Sequence, residues 1–183
     1  LLLFLYMYSQ LPVNEYILLN FQYGLDEFSY YFRILALILL ILVVYISLGY
    51  FFLERVFFTE YFFLLGVFCL SAFFLVSAGE FTFFYLAIEL QALILYTLAS
   101  LKRYNVFSTE SGLKYFVLGA LSSGLLLFGI SLFYGFTGVI NLYEIRFLIL
   151  TNFDHSIYAG ITLALVFIIA AFLFKLAAAP FHI

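Results

Sequence analysis

Charge is what this sequence has least of. Lys and Arg number 7 and Asp and Glu 10 among 183 residues, 9% of the chain. An ordinary soluble domain carries about a quarter charged residues, so a soluble globular domain is excluded. The net charge of −3 leaves no basic surface for nucleic acid. Cysteine is nearly absent as well. Cys69 stands alone inside an apolar run, so it can form no internal disulfide and offers no metal-ligand set; it reads as a small buried hydrophobe. No glycine-rich phosphate loop follows a strand, and there is no linker, low-complexity tract or full internal repeat. Nothing here would hold a nucleotide, a metal or a redox cofactor. The opening Leu1-Leu2-Leu3-Phe4 lacks the basic n-region and small-residue cleavage site of a secretory signal.

What is present is hydrocarbon. Apolar residues make up 68% of the chain, which leaves the lipid bilayer as solvent. Membrane lipids are therefore expected partners. Long uninterrupted apolar runs, without strand-like alternation, exclude an outer-membrane barrel. Charges punctuate the chain into uncharged stretches at 34–53, 61–79, 115–143 and 156–174, with a further stretch at 81–101 broken only by Glu89. The reading is an all-α polytopic membrane protein of about five transmembrane helices, near 31–53, 59–78, 81–101, 109–135 and 156–183. Residues 1–29, interrupted by Pro12, Asn14, Glu15, Asp26 and Glu27, read as an amphipathic segment at the membrane surface, ahead of a transmembrane domain over 30–183. The stretches 54–60, 102–109 and about 138–155 read as loops. Arg55, Lys102 and Arg103 fall on one side, against Arg33 and Arg146 on the other, which places the first side in the matrix or cytoplasm.

Ionisable residues inside the spans need a reason, because each costs about 2.5–3.5 kcal/mol on insertion scales. Glu89 sits at the middle of the third span, too deep to reach either interface. It is either a protonated hydrogen-bonding group or a carboxylate paired with a buried amine. Lys175 is the natural amine. Pro180, five residues on, has no N–H for the carbonyl of Leu176 and so loosens the helix just past the lysine. Broken membrane helices are tolerated where they line protein-enclosed or hydrated cavities; the alternative is a lysine snorkelling to the headgroups. Lys114 lies within reach of the start of the fourth span, so its spacing leaves both readings open. Ser108 or Thr109 is expected to cap that helix, with Glu110 as first-turn electrostatics. His182, beyond Pro180, is either a titrating group on a proton path or a hydrogen-bonding residue at the break. His155, Glu80 and Asp154 read as loop residues. Gly119, Ala120, Ser122, Ser123 and Gly124 offer a face for close helix packing. Buried charges beside a broken helix point to proton or ion translocation.

At these residues a resemblance appears. Tyr85-Leu86-Ala87-Ile88-Glu89-Leu90-Gln91-Ala92-Leu93, with Tyr96 and Leu98-Ala99-Ser100-Leu101-Lys102-Arg103, form the first block. Phe107 to Phe116, continuing through Gly119–Gly124 to Tyr134–Gly138, form the second. Phe174-Lys175-Leu176 and Ala179-Pro180-Phe181-His182 form the third. In this order they resemble the chain 2 family of NADH–ubiquinone oxidoreductase (respiratory complex I), closest in wording to its mitochondrial form, over about residues 80–183. The resemblance implies an antiporter-like half-bundle with a broken fifth helix, supplying the first proton half-channel of a proton-pumping membrane-arm subunit in the mitochondrial inner membrane. It implies that Glu89 pairs with buried Lys114 and Lys175, the charge of Lys175 following the attraction between the other two, and that His182 belongs to the polar axis. NADH, FMN, iron–sulfur clusters and ubiquinone are implied on other subunits, with no cofactor on this chain, and the other membrane-arm subunits are its partners. The family pattern continues past His182 into a second, inverted repeat. The expectation is therefore a split subunit whose C-terminal half comes from a second chain, or else a truncated sequence. A subunit of a multi-subunit cation/proton antiporter and a non-pumping structural half-subunit are the rival readings.

Overall fold

A computed structural model of the chain describes residues 16–18, 23–25, 27–54, 58–150 and 155–178. Among the described residues six helices follow one another. They are α1 (Glu27–Glu54), α2 (Phe58–Val76), α3 (Phe81–Ala99), α4 (Val106–Thr137), α5 (Leu142–Leu150) and α6 (His155–Lys175). All but α5 contain a stretch long and apolar enough to cross a membrane: Phe28–Gly49, Thr59–Val76, Phe81–Ala99, Val106–Thr137 and Tyr158–Lys175. The chain is an all-α multi-pass membrane protein. Helices are required because hydrocarbon offers backbone N–H and C=O groups no water to bond, so each segment must satisfy its own.

The expected boundaries need four corrections. First, the described part of 1–29 holds a short antiparallel ribbon, β1 (Tyr16–Leu18) on β2 (Tyr23–Leu25), with Tyr16 opposite Leu25; the rest of that expected surface segment lies largely outside the described residues. Second, the stretch read as a loop at 138–155 contains α5, and His155 opens α6. Third, α4 begins at Val106, capped by Asn105, whose side chain accepts from the Phe107 N–H at 3.1 Å. The hydroxyls expected to cap it bond elsewhere: Ser108 Oγ donates to the Ala99 carbonyl at 2.9 Å and Thr109 Oγ1 to the Val106 carbonyl at 3.0 Å. Fourth, α6 stops at Lys175 instead of continuing toward 183; residues 179–183 lie outside the described residues. At its other end α4 closes on Gly138 in the left-handed conformation (φ 69°), whose N–H bonds the Tyr134 carbonyl at 2.7 Å.

Lipid tails are as apolar as leucine, so helix association here depends on close packing more than on hydrophobic burial. Small residues permit it. A Cβ at Gly129 would lie 2.8 Å from Ile168 Cγ1 and 3.1 Å from the Ala164 carbonyl oxygen, and one at Gly160 would lie 2.6 Å from the Phe136 ring. These contacts run α4 antiparallel to α6. Ile88, Leu126, Ile130, Ile168 and Ala171 form the core where α3, α4 and α6 meet. Phe133, Ile145 and Ala164 form a second core that seats α5 against the bundle. Of the five small residues expected on the packing face, Gly119, Ser122 and Ser123 are buried, whereas Ala120 and Gly124 face outward.

Helices α3 and α4 also run antiparallel. Phe81 packs edge-on against Phe133 (centroids 5.3 Å), and Tyr96 and Ser100 abut Gly119 and Gly112. On one face of the bundle the turn before α3 is tied to the α4–α5 connection. Phe81 N–H donates to the Ile140 carbonyl at 3.2 Å and Leu142 N–H to the Gly79 carbonyl at 3.0 Å. On the opposite face the α3–α4 connection is joined to α2 by an Arg103–Glu60 ion pair of 2.8 Å.

Candidate functional site

The helix register sets the depth of each charged residue. Phe81 meets Phe133, Ile88 packs with Leu126 and Tyr96 abuts Gly119, so Glu89 lies level with roughly residues 123–126 of α4. Ile168 against Gly129, extended by antiparallel counting, places Lys175 level with roughly residues 119–122. The two groups are thus separated along the bundle axis by only about one turn, roughly 5 Å. Glu89 sits at the middle of α3. Lys175, although the last residue of its helix, therefore lies inside the bundle, with about six more residues of α3, roughly 9 Å, between it and the α3–α4 connection. A helix that ends there cannot deliver its lysine to the headgroups. Lys175 Nζ and Glu89 Oε2 are both buried and have no hydrogen-bond partner.

The end of α6 is built by crossed backbone bonds. Ala177 N–H donates to the Phe174 carbonyl at 3.1 Å and Ala178 N–H to the Leu173 carbonyl at 3.0 Å. Ala177 adopts a left-handed conformation (φ 51°), where glycine is the usual occupant. The sequence supplies the cause. A proline at 180 would clash with the carbonyl of Leu176 in a continuing helix and biases Ala179 away from helical geometry. The last carbonyls of a helix carry partial negative charge, which favours a cation in the final turn. Lys175 is that cation.

Beneath this end lies a cavity of about 380 Å³, lined by Ile88, Gln91, Ala92, Leu95 and Tyr96 of α3, Tyr115, Leu118, Gly119 and Ser122 of α4, and Phe174, Lys175 and Ala177. Its residues Leu95 and Tyr96 of α3 and Tyr115 and Leu118 of α4 lie between the level of Lys175 and the α3–α4 connection, so the space extends toward that face. Lys175 and Glu89 are buried about one turn apart along the axis without a direct bond, and opposite charges at such a separation still attract where water is excluded. The arrangement therefore couples the proton on Lys175 to the state of Glu89.

The structure brings Glu89 and Lys175 to one level and does not bring Lys114 to them. Lys114 lies outward on α4, its side chain 72% exposed, paired with Glu110 at 2.7 Å across one helical turn. It is some ten residues of α4, about 15 Å, from the level of Glu89. Glu110 is thus an ion-pair partner as well as a residue near the helix start. His182 lies outside the described residues. Arg33, read as a boundary residue, is 4% exposed and donates from Nη2 to Ser77 Oγ at the end of α2. Only the length of α1 could have signalled this, since the acceptor is 44 residues away. Cys69 is buried and free, as expected.

The chain is similar in sequence and fold to known membrane proteins. Residues 78–183 match the family model described as NADH:quinone oxidoreductase/Mrp antiporter, TM. The chain is 43% identical over 158 residues to NADH-quinone oxidoreductase subunit N of Bartonella bacilliformis, covering 86% of this chain and 32% of that protein. It is 42% identical over 162 residues to NADH-ubiquinone oxidoreductase chain 2 of Marchantia polymorpha, covering 86% and 33%. Among solved structures, a chain of respiratory complex I from Thermus thermophilus superposes with a TM-score of 0.73 at 29% identity, over 99% of this chain and 38% of that one. The chain spans about a third of the length of the curated relatives it matches.

Proposed function

Because this chain belongs to the NADH:quinone oxidoreductase/Mrp antiporter transmembrane family, we propose that it is a proton-pumping membrane-arm subunit of NADH:ubiquinone oxidoreductase and supplies the first proton half-channel. The observation that carries this reading is Lys175 held inside the bundle by the end of α6, within about one turn of the level of Glu89, with Lys175 Nζ and Glu89 Oε2 both buried. Lys175 takes up a proton while the Glu89 carboxylate favours the ammonium, and releases it when that carboxylate is neutralised or drawn away. Lys114, with Glu110, stands on the side of the α3–α4 connection, and His182 supplies a titrating group beyond the helix break.

NADH, FMN, the iron–sulfur clusters and ubiquinone belong to other subunits in this proposal, with no cofactor on this chain. Its partners are the other membrane-arm subunits. A second polypeptide is proposed to supply the remaining, C-terminal part of the relatives' length. The membrane is the mitochondrial inner membrane, a reading supported by the Marchantia relative; the bacterial relatives make a plasma membrane the competing location.

The test is Lys175→Ala in the assembled complex, reconstituted in sealed vesicles. Proton translocation per NADH oxidised should fall while the complex still assembles. Unchanged stoichiometry would overturn the role given to Lys175. Co-purification of flavin and iron–sulfur subunits with the native chain separates this reading from an ion-gradient-driven antiporter, which carries neither.

A further inference from the structure

The α3 face turned toward α4 carries more than Glu89. Tyr85, Glu89, Ala92 and Tyr96 recur at helical spacing and form one stripe, with one tyrosine on each side of the carboxylate. The surroundings of the two tyrosines differ. Tyr96 lines the cavity that Lys175 also lines, and Tyr85 does not.

The position of Tyr96 is tightly specified. It is 6% exposed, and its ring is held edge-on by Tyr115 (centroids 4.8 Å) and Phe116 (5.7 Å). Its hydroxyl rests over Gly119, where any Cβ would occupy the same space. Side chains on a helix lean toward its N-terminus, which directs this phenol from its own level toward that of Glu89. Packing alone accounts for the ring. It does not account for the hydroxyl, which a phenylalanine would lack and which costs free energy in an apolar wall unless it bonds something. It borders a cavity that carries polar groups at Gln91, Ser122 and Lys175.

We infer that Tyr96 is a further proton-relay residue, its hydroxyl passing protons between the cavity and the Glu89–Lys175 pair. The step balances at the phenol. A hydronium in the cavity gives a proton to the Tyr96 oxygen as the hydroxyl releases its own proton toward the pair, so the residue ends as it began. This deepens the proton-translocating reading above and rests on it.

The experiment compares Tyr96→Phe and Lys175→Ala in the assembled complex in sealed vesicles, following NADH oxidation, proton uptake and its solvent deuterium isotope effect. Tyr96→Phe keeps the ring contacts and should assemble normally. Proton uptake should slow by about tenfold, less than the 10²–10⁴ of a positioned acid–base group because a water chain offers a bypass, and the isotope effect should change. If Lys175→Ala impairs pumping but Tyr96→Phe leaves both rate and isotope effect unchanged, the inference falls and the function stands. If Lys175→Ala has no effect, both fall. Should Tyr96→Phe fail to assemble, 3-fluorotyrosine at position 96 keeps ring and hydroxyl while acidifying the phenol. An uptake rate insensitive to that replacement overturns the relay.

Discussion

The α4–α6 seam places Lys175, and one methyl group tests it. Replacing Gly129 by alanine puts a Cβ 2.8 Å from Ile168 Cγ1, 3.0 Å from the Ile168 backbone nitrogen and 3.1 Å from the Ala164 carbonyl oxygen. Two of these neighbours are backbone, so rotating one side chain cannot clear the space. Carbon atoms pack at about 3.5–4.0 Å, so the helices must separate by roughly 0.7–1.2 Å. Ile168 lies two turns before Lys175, and a displacement there passes along a rigid helix to the amine. Overpacking of this kind costs about 1–3 kcal/mol, offset by up to about 1 kcal/mol of helix propensity gained on replacing glycine. A net loss of about 0–2 kcal/mol is expected. The functional effect should be larger in proportion, because a misplacement of about 1 Å can cost as much as 10²-fold in a positioned reaction. The assay pairs thermal denaturation of the solubilised complex with proton translocation per NADH in vesicles. Gly124→Ala is the control: the same helix, with nothing described within 4 Å of the added Cβ. It should be neutral or slightly stabilising and pump normally. If Gly129→Ala behaves like Gly124→Ala in both measurements, the seam does not set the position of Lys175.

Two further substitutions probe the frame of the site. Ala177→Gly removes the left-handed penalty at the end of α6, roughly 1–2 kcal/mol for a residue with a Cβ, and should raise the thermal midpoint; a lowered midpoint contradicts this account of the helix end. Ser77→Ala deprives the buried Arg33 of an acceptor, and leaving a buried polar group short of a bond costs about 1–3 kcal/mol. Its thermal midpoint should fall, and an unchanged value removes Arg33 from the interactions that hold α1 to α2.

Much of this was readable beforehand because bilayer and chain are matched so simply. Length and charge punctuation located all five spans, since hydrocarbon penalises any charge left within one. The depth of Glu89 followed from its place in an uncharged run, and a loosening of the helix past Lys175 from Pro180, although the helix itself was expected to run on toward 183. The features that escaped depend on contacts distant in sequence or on competition among local signals. Glu144 and Arg146 made α5 look like a loop, yet Ile145 between them is buried against Phe133 and Ala164; the spacing of Leu142, Ile145 and Leu148 was the available clue. Asn105 prevailed as the cap because the Ser108 hydroxyl is engaged by the Ala99 carbonyl on the preceding helix. The Lys114–Glu110 pair obeys the four-residue rule for helix surfaces and could have been anticipated from spacing. The stripe that includes Tyr96 was written in the sequence but hidden among 16 tyrosines and 27 phenylalanines, and only Gly119 across the seam singles it out.

Helix α4 presents Gly119 and Ser123 to α3, and Gly129 and Phe136 to α6. Each residue turns the helix by about 100°. Inserting or deleting one apolar residue between Ser123 and Gly129 would leave hydropathy and span length almost unchanged, yet swing one set of contacts out of phase with the other. The chain could still cross the bilayer as often, but it could no longer meet α3 and α6 at once. For this helix the reading frame of its two faces is the constrained quantity, and a plot of hydrophobicity is blind to it.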